Sequence, residues 1–157
     1  MAPRVTTFDV AAIVVGNPPE DLDLTLYLMV EGTPLVQERH RVRWMPFRGA
    51  RPRVYDPCSA SKHGYKLAVR QACSDIGVTN FPLFVEERVK IKVTFFVTNA
   101  SKDIDNLLKF VMDALQGVIY PNDRMVFHAW VQKEVVEEGK ECTKIEIMEL
   151  FWFGCAS

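Results

Sequence analysis

The chain has 157 residues, 48% hydrophobic and 25% charged, with a formal net charge of −1. That size fits one domain with a real core, and no apolar run reaches the roughly 18 residues that a membrane-spanning helix needs. The near-neutral total, with a pI near 6.3, excludes a uniformly basic nucleic-acid binder but hides a local excess. From Arg39 to Arg70 there are nine lysines and arginines against one acid, Asp56, while the rest of the chain holds ten against nineteen.

Residues 1–21 show no clear period. Val10–Val15 is apolar enough for a short strand, and Asn17-Pro18-Pro19-Glu20-Asp21 breaks any element. A loosely held arm is expected over 1–21, ahead of a domain over 22–157. The apolar N-terminal stretch is too short for a secretory signal, so an intracellular, reducing location is expected. Cys58, Cys73, Cys142 and Cys155 have no CxxC spacing, which points to free thiols.

Leu22, Leu24, Leu26, Leu28 and Val30 alternate with more polar neighbours and read as a half-buried strand ended by Gly32-Thr33-Pro34. The basic segment follows, with Arg39, Arg41 and Arg43 on one face if extended, then a loop over Met45–Arg53 that carries Arg48, Arg51 and Arg53. Trp44, Phe47 and Tyr55 are interleaved. Arginine's planar fork suits phosphate, and aromatic rings can stack on unpaired bases. Ser59 or Ser61 is expected to cap a helix running to about Ile76, with Gly77 ending it. Lys62, Lys66 and Arg70 recur every four residues on one helical face, either a solvated face or an edge that would face DNA in continuation of the arginine segment. His40, His63 and His128 are isolated.

Val85–Thr98 is the longest strand signal, with Val89, Ile91, Val93, Phe95 and Val97 on one face. It delivers the run KDIDNLLKFVMDALQGVIYPND, Lys102 to Asp123. Leu107, Leu108, Val111, Met112 and Leu115 form one helical stripe, and Gly117 stands where a helix end takes a left-handed residue. Asp105, Lys109 and Asp113 line the polar side, with Lys109 one turn beyond Asp105 and Asp113 solvated or paired with it. A DxDN run alone is an ordinary helix cap. Here Asp103 and Asp105 stand between a strand end and a helix start, and Asp123 opens the next strand. If those two strands are neighbours, the three carboxylates converge on Mg²⁺ or Mn²⁺, hard ions that need few protein ligands. Such a site can ionise a water and hold a scissile phosphate, with Lys109 stabilising charge. Arg124–Val136 and Glu141–Phe151 then read as a hairpin, and Phe151-Trp152-Phe153-Gly154 as an apolar tail that covers core or contacts a second subunit.

The run D-x-D-N-x-x-K-x-x-x-D-A-L, followed by a turn and a further aspartate, resembles the RusA-type Holliday junction resolvases. The likeness is densest over Lys102–Val126 and weaker over Gly32–Gly77. It implies catalytic Asp103, Asp105, Asp123 and Lys109, with the three aspartates binding metal, and a homodimer. The elements themselves run roughly β-β-α-β-α-β-β, which points to a single α/β domain in which two main helices pack on a mixed sheet, RusA-like in kind. The implied activity is metal-dependent resolution of four-way junctions by paired nicks. The candidate DNA contacts are Arg39, Arg41, Arg43, Arg48, Arg51, Arg53, Lys62 and Lys66. One departure is Asn122-Asp123, where family members often carry two aspartates. It leaves open a protein that binds branched DNA without cutting it, and a nuclease for flaps or forks is a further alternative.

Overall fold

The computed structural model describes residues 8–15, 24–44, 46–86 and 88–150. Five strands make one mixed sheet. β1 (Val10–Val15) pairs antiparallel with β2 (Thr25–Glu31), and β2 pairs antiparallel with β7 (Cys142–Leu150). β7 pairs antiparallel with β5 (Arg88–Val97), which in turn pairs parallel with β6 (Val126–Val135). The order is therefore β1-β2-β7-β5-β6. Two short strands, β3 (Arg41–Arg43) and β4 (Arg53–Tyr55), form a separate antiparallel hairpin. The helices are α1 (Ser59–Asp75) and α2 (Ile104–Leu115). This is the expected α/β domain with a mixed sheet and two main helices.

The strand period sets the core. Leu26, Leu28 and Val30 of β2, the alternating Val89, Ile91, Val93, Phe95 and Val97 of β5, and Ile145 and Ile147 of β7 are buried. They form one cluster with Tyr65, Val69 and Cys73 of α1 and Leu107, Phe110, Val111 and Leu115 of α2. Each large side chain so buried contributes about 1.5–3 kcal/mol. In α2 the expected stripe holds: Leu107, Val111 and Leu115 are buried, while Leu108 and Met112 are half-buried.

Three expectations are corrected. Val10–Val15 forms the short strand its apolar run allows, but it is held along β2 as the outer strand β1 rather than lying in a loose arm; residues 1–7 and 16–21 of that arm, like the apolar tail over 151–154, lie outside the described residues. β6 and β7 are not a hairpin, because β5 lies between them. Stepping across one strand needs roughly 10 Å, and six connecting residues reach up to about 20 Å, so a short turn-like linker permits either arrangement. Burial decides: β7 buries Thr143, Ile145 and Ile147 between two partners, whereas β6 is largely exposed and takes the edge. Finally, no serine caps α1. Cys58 occupies the cap position, and Asp56 Oδ1 accepts from its amide at 2.9 Å.

The other end of α1 behaves as read. Gly77 has φ +96°, and bonds from Gly77 N to Ser74 O and from Val78 N to Cys73 O close a Schellman turn. Among the described residues, no helix is long and apolar enough to cross a membrane.

Candidate active site and nucleic-acid interface

β5 ends at Val97, and a short turn carries the chain into α2. Lys133, reaching over from β6, donates to the carbonyls of Ala100 (2.5 Å) and Lys102 (2.7 Å), and Lys102 donates to Pro34 O at 2.7 Å. These two lysines therefore shape the turn that presents the aspartates, a role with no local signal in the sequence. Asp103 takes the cap position with extended φ and ψ, and its carbonyl accepts from Leu107 N at 3.1 Å. Its carboxylate does not cap the helix; it accepts a long 3.4 Å contact from Asn106 Nδ2. Asp105 lies in the first turn of α2, where the helix dipole favours negative charge. Both carboxylates are exposed, as is Lys109 one turn on. Lys109 makes no ion pair among the described residues.

Asp123 sits elsewhere. It begins a single 3₁₀ turn, Asp123–Met125, just before β6. Asn122 caps that turn, its Oδ1 accepting from Arg124 N at 2.9 Å. The amide at the departure from the family pattern thus has a local structural use. Tyr120 lies beside this turn and donates to Met112 O at 2.8 Å. Burial, followed by the nearby charges of Asp123 and Asp113, raises the Tyr120 phenol well above its usual range.

β5 and β6 are neighbours, as convergence of the carboxylates required, but they run parallel. Val126 lies beside Val89 and Val135 beside Val97. Asp103 follows the end of β5, whereas Asp123 precedes the start of β6, at the opposite rim of the sheet. α2 spans the gap, and its 12 residues measure about 18 Å. Within one chain the three carboxylates do not meet. Among the described residues no three His, Cys, Asp or Glu side chains gather to hold a metal. Asp103 and Asp105 by themselves suit a cation such as Mg²⁺, which takes one or two carboxylates and otherwise keeps water.

The basic segment forms an exposed arm. Arg41, Arg43 and Arg53 lie on its strands, facing solvent, and Arg48 and Arg51 lie in its loop. Arg39 is exposed at its root. Arg41↔Tyr55 and Arg43↔Arg53 are cross-strand partners, so Arg41, Arg43, Arg53 and Tyr55 share a face. Val42 and Val54 occupy the other, and Trp44, at the start of the loop, is 76% exposed. Arg41 also pairs with Glu38 at 2.6 Å, but both side chains are well exposed and the pair is weak.

Lys62 departs from the sequence reading. It points between Asp56 (2.7 Å) and Asp113 (2.9 Å) with its side chain 14% exposed. Asp113 accordingly pairs across to α1 rather than with Lys109. Burial lowers the Lys62 pKa, but the bonds from Asp56 and Asp113 more than offset this and raise it. Burial likewise raises Asp56, yet bonds from Lys62, the Cys58 amide and Gln37 hold it down to about 2. Lys66 is half-buried on the same helix.

No curated protein matches this sequence significantly. The family model described as Endodeoxyribonuclease RusA matches residues 31–148. That match takes in the basic hairpin, both helices and every candidate carboxylate, so the chain belongs to the RusA family of endodeoxyribonucleases, enzymes of Holliday junction resolution.

Proposed function

We propose that this protein resolves four-way DNA junctions by paired, divalent-metal-dependent nicks, and that it does so as a homodimer in which each site is shared between two copies. The observation that carries the proposal is the separation of Asp123 from Asp103 and Asp105 along α2. β6 is a strand of ten residues that, among the described residues, stands at the sheet edge and is hydrogen-bonded to β5 on one side only. Such an edge is a ready template for another strand. If β6 of two copies pairs antiparallel about a two-fold axis, the start of each strand meets the end of the other. Asp123 of the second copy then arrives at the Val97–Asp103 rim. Two such sites, related by symmetry, match the approximate two-fold symmetry of a four-way junction.

Asp103 and Asp105 of one copy, with Asp123 of the other, would hold Mg²⁺ or Mn²⁺. When bound, the cation supplies Lewis-acid polarisation of the phosphate and lowers the pKa of an attacking water. Lys109 extends from the same helix one turn beyond Asp105, and its ammonium stabilises charge that develops on the phosphate or the leaving oxygen. The hairpin arginines, with Lys66 on the flank of α1, bind backbone phosphates. Selection then comes from the shape of the junction rather than from base edges. The free thiols of Cys58, Cys73 and Cys142 suit work inside a bacterial or phage-infected cell.

The direct test is cleavage of a synthetic four-way junction with Mg²⁺, wild type beside Asp105→Asn. Symmetric nicks near the crossover that vanish in the variant, with binding retained, are expected. Equal cleavage by both would place the chemistry elsewhere. Binding without cleavage by the wild type would make the protein a junction binder, and preference for flaps or forks would reassign the substrate.

A further inference from the structure

The nine bases between Arg39 and Arg70 look like one DNA-facing surface in the sequence, but Lys62 does not belong to it. We infer that Lys62 is a positioning residue. It bolts the root of the basic hairpin to α2, so that the arginines are presented in a set relation to the catalytic helix. The inference rests on the reading of that hairpin as the DNA-binding arm.

The hairpin has two roots, residues 36–38 before β3 and 56–58 after β4. The first is tied to the start of α2, where Gln37 N donates to Asn106 O at 2.9 Å, within a turn of Asp103 and Asp105. The second is tied further along the same helix, where Lys62 joins Asp56 to Asp113. The roots are also tied to each other. Gln37 Nε2 donates to Asp56 Oδ1 at 3.0 Å, and Glu38 N donates to Cys58 Sγ at 3.4 Å. Gln37 is buried, and Asp56 and Asp113 are 19% and 27% exposed. Both of Lys62's carboxylate partners are therefore engaged away from bulk water, and its two hydrogen bonds run to them rather than to a phosphate.

Beyond these roots the hairpin has little of its own to hold it. Its two strands are three residues each and wholly exposed, and an isolated two-stranded ribbon is marginal in water. Its direction must come from the roots. Without Lys62, Asp56 and Asp113 would face each other as like charges in a partly buried space, which separates α2 from the hairpin root.

The test compares Lys62→Met, Lys62→Arg and the double variant Lys62→Met/Asp113→Asn; the last removes the stranded charge pair in case the single variant fails to fold. Two quantities are read. Amide hydrogen exchange is followed at residues 36–38 and 53–58 without DNA. Junction affinity is followed against salt in a buffer with Ca²⁺ in place of Mg²⁺. In Lys62→Met and in the double variant, exchange at the roots should quicken by about tenfold or more. Affinity should fall, while the slope of log K against log salt stays at the wild-type value because no phosphate contact has been removed. Lys62→Arg, which can bridge two carboxylates, should restore both. A slope shallower by about 0.9, the loss of one phosphate contact, with root exchange unchanged, would make Lys62 a DNA contact and overturn the inference. Unchanged exchange with unchanged affinity would overturn it as well. Faster root exchange with full affinity would keep Lys62 as the bolt and remove the hairpin from the DNA-binding reading.

Discussion

Two variants, each expected to be inactive alone, distinguish when mixed a site shared between copies from one built within a chain. Asp105→Asn cripples the pair at the start of α2, and Asp123→Asn cripples the carboxylate at the far rim. α2, whose 12 residues measure about 18 Å, carries Asp105 in its first turn and leads to Asp123 beyond its far end, whereas Mg²⁺ holds its ligands at about 2.0–2.1 Å. One ion therefore cannot be served by both ends of the same chain. In a mixed dimer with shared sites, one site collects both substitutions and the other collects neither. Random exchange makes half the dimers mixed, each with one working site of two, so nicking should recover to about one quarter of the wild-type rate. The assay is single-turnover nicking of an end-labelled four-way junction after equimolar subunits have exchanged, with mixed dimers verified by native mass spectrometry. The products should be single nicks rather than paired ones. A mixture of Asp103→Asn with Asp105→Asn provides the control. Both substitutions fall at the same end of α2, every mixed site carries a defect, and no recovery is expected. Absence of recovery in the first mixture, with exchange verified, would refute the shared site.

Two further outcomes follow from the geometry. Lys109→Met should lower kcat on a four-way junction by about 10²–10³-fold, the usual loss for one charge-stabilising donor, with junction affinity within a few-fold of wild type; an unaltered kcat would remove Lys109 from the chemistry. The second concerns acid stability. The Asp56 carboxyl lies at about 2, against 3.8 for the free group, so its contribution is present in full above pH 4 and is lost as pH falls through about 2. The shift corresponds to roughly 2 kcal/mol. Urea midpoints should thus show Asp56→Asn less stable than wild type at pH 6, with the difference shrinking toward pH 2. A gap that stays constant with pH would mean that the aspartate does not act through its charge.

Periodicity made much of the fold legible in advance. The alternation from Val89 to Val97 and the stripe from Leu107 to Leu115 are local patterns, because the pleat and the helical turn repeat along the chain itself. Gly77 and Gly117 adopt the left-handed angles expected where helices end, φ +96° and +83°. The candidate residues were legible by chemistry and spacing: two aspartates at a helix start, a lysine one turn on, a third aspartate after a turn. What stayed hidden was which partner each element takes. The linker after β6 could return to β6 or step over β5, and only the packed sheet chose, since β7 buries both its edges between β2 and β5. Parallel pairing of β5 with β6 then sent Asp123 to the rim away from Asp103, although the two lie only a helix apart in the chain. Lys62 and Lys66 are four residues apart on one helical face, yet Lys62 is turned inward by Asp113, 51 residues away. The sequence alone determined the elements and the chemistry they carry, because those depend on neighbours along the chain. The tertiary structure decided which groups meet, because strand order and helix packing are settled by burial between distant segments.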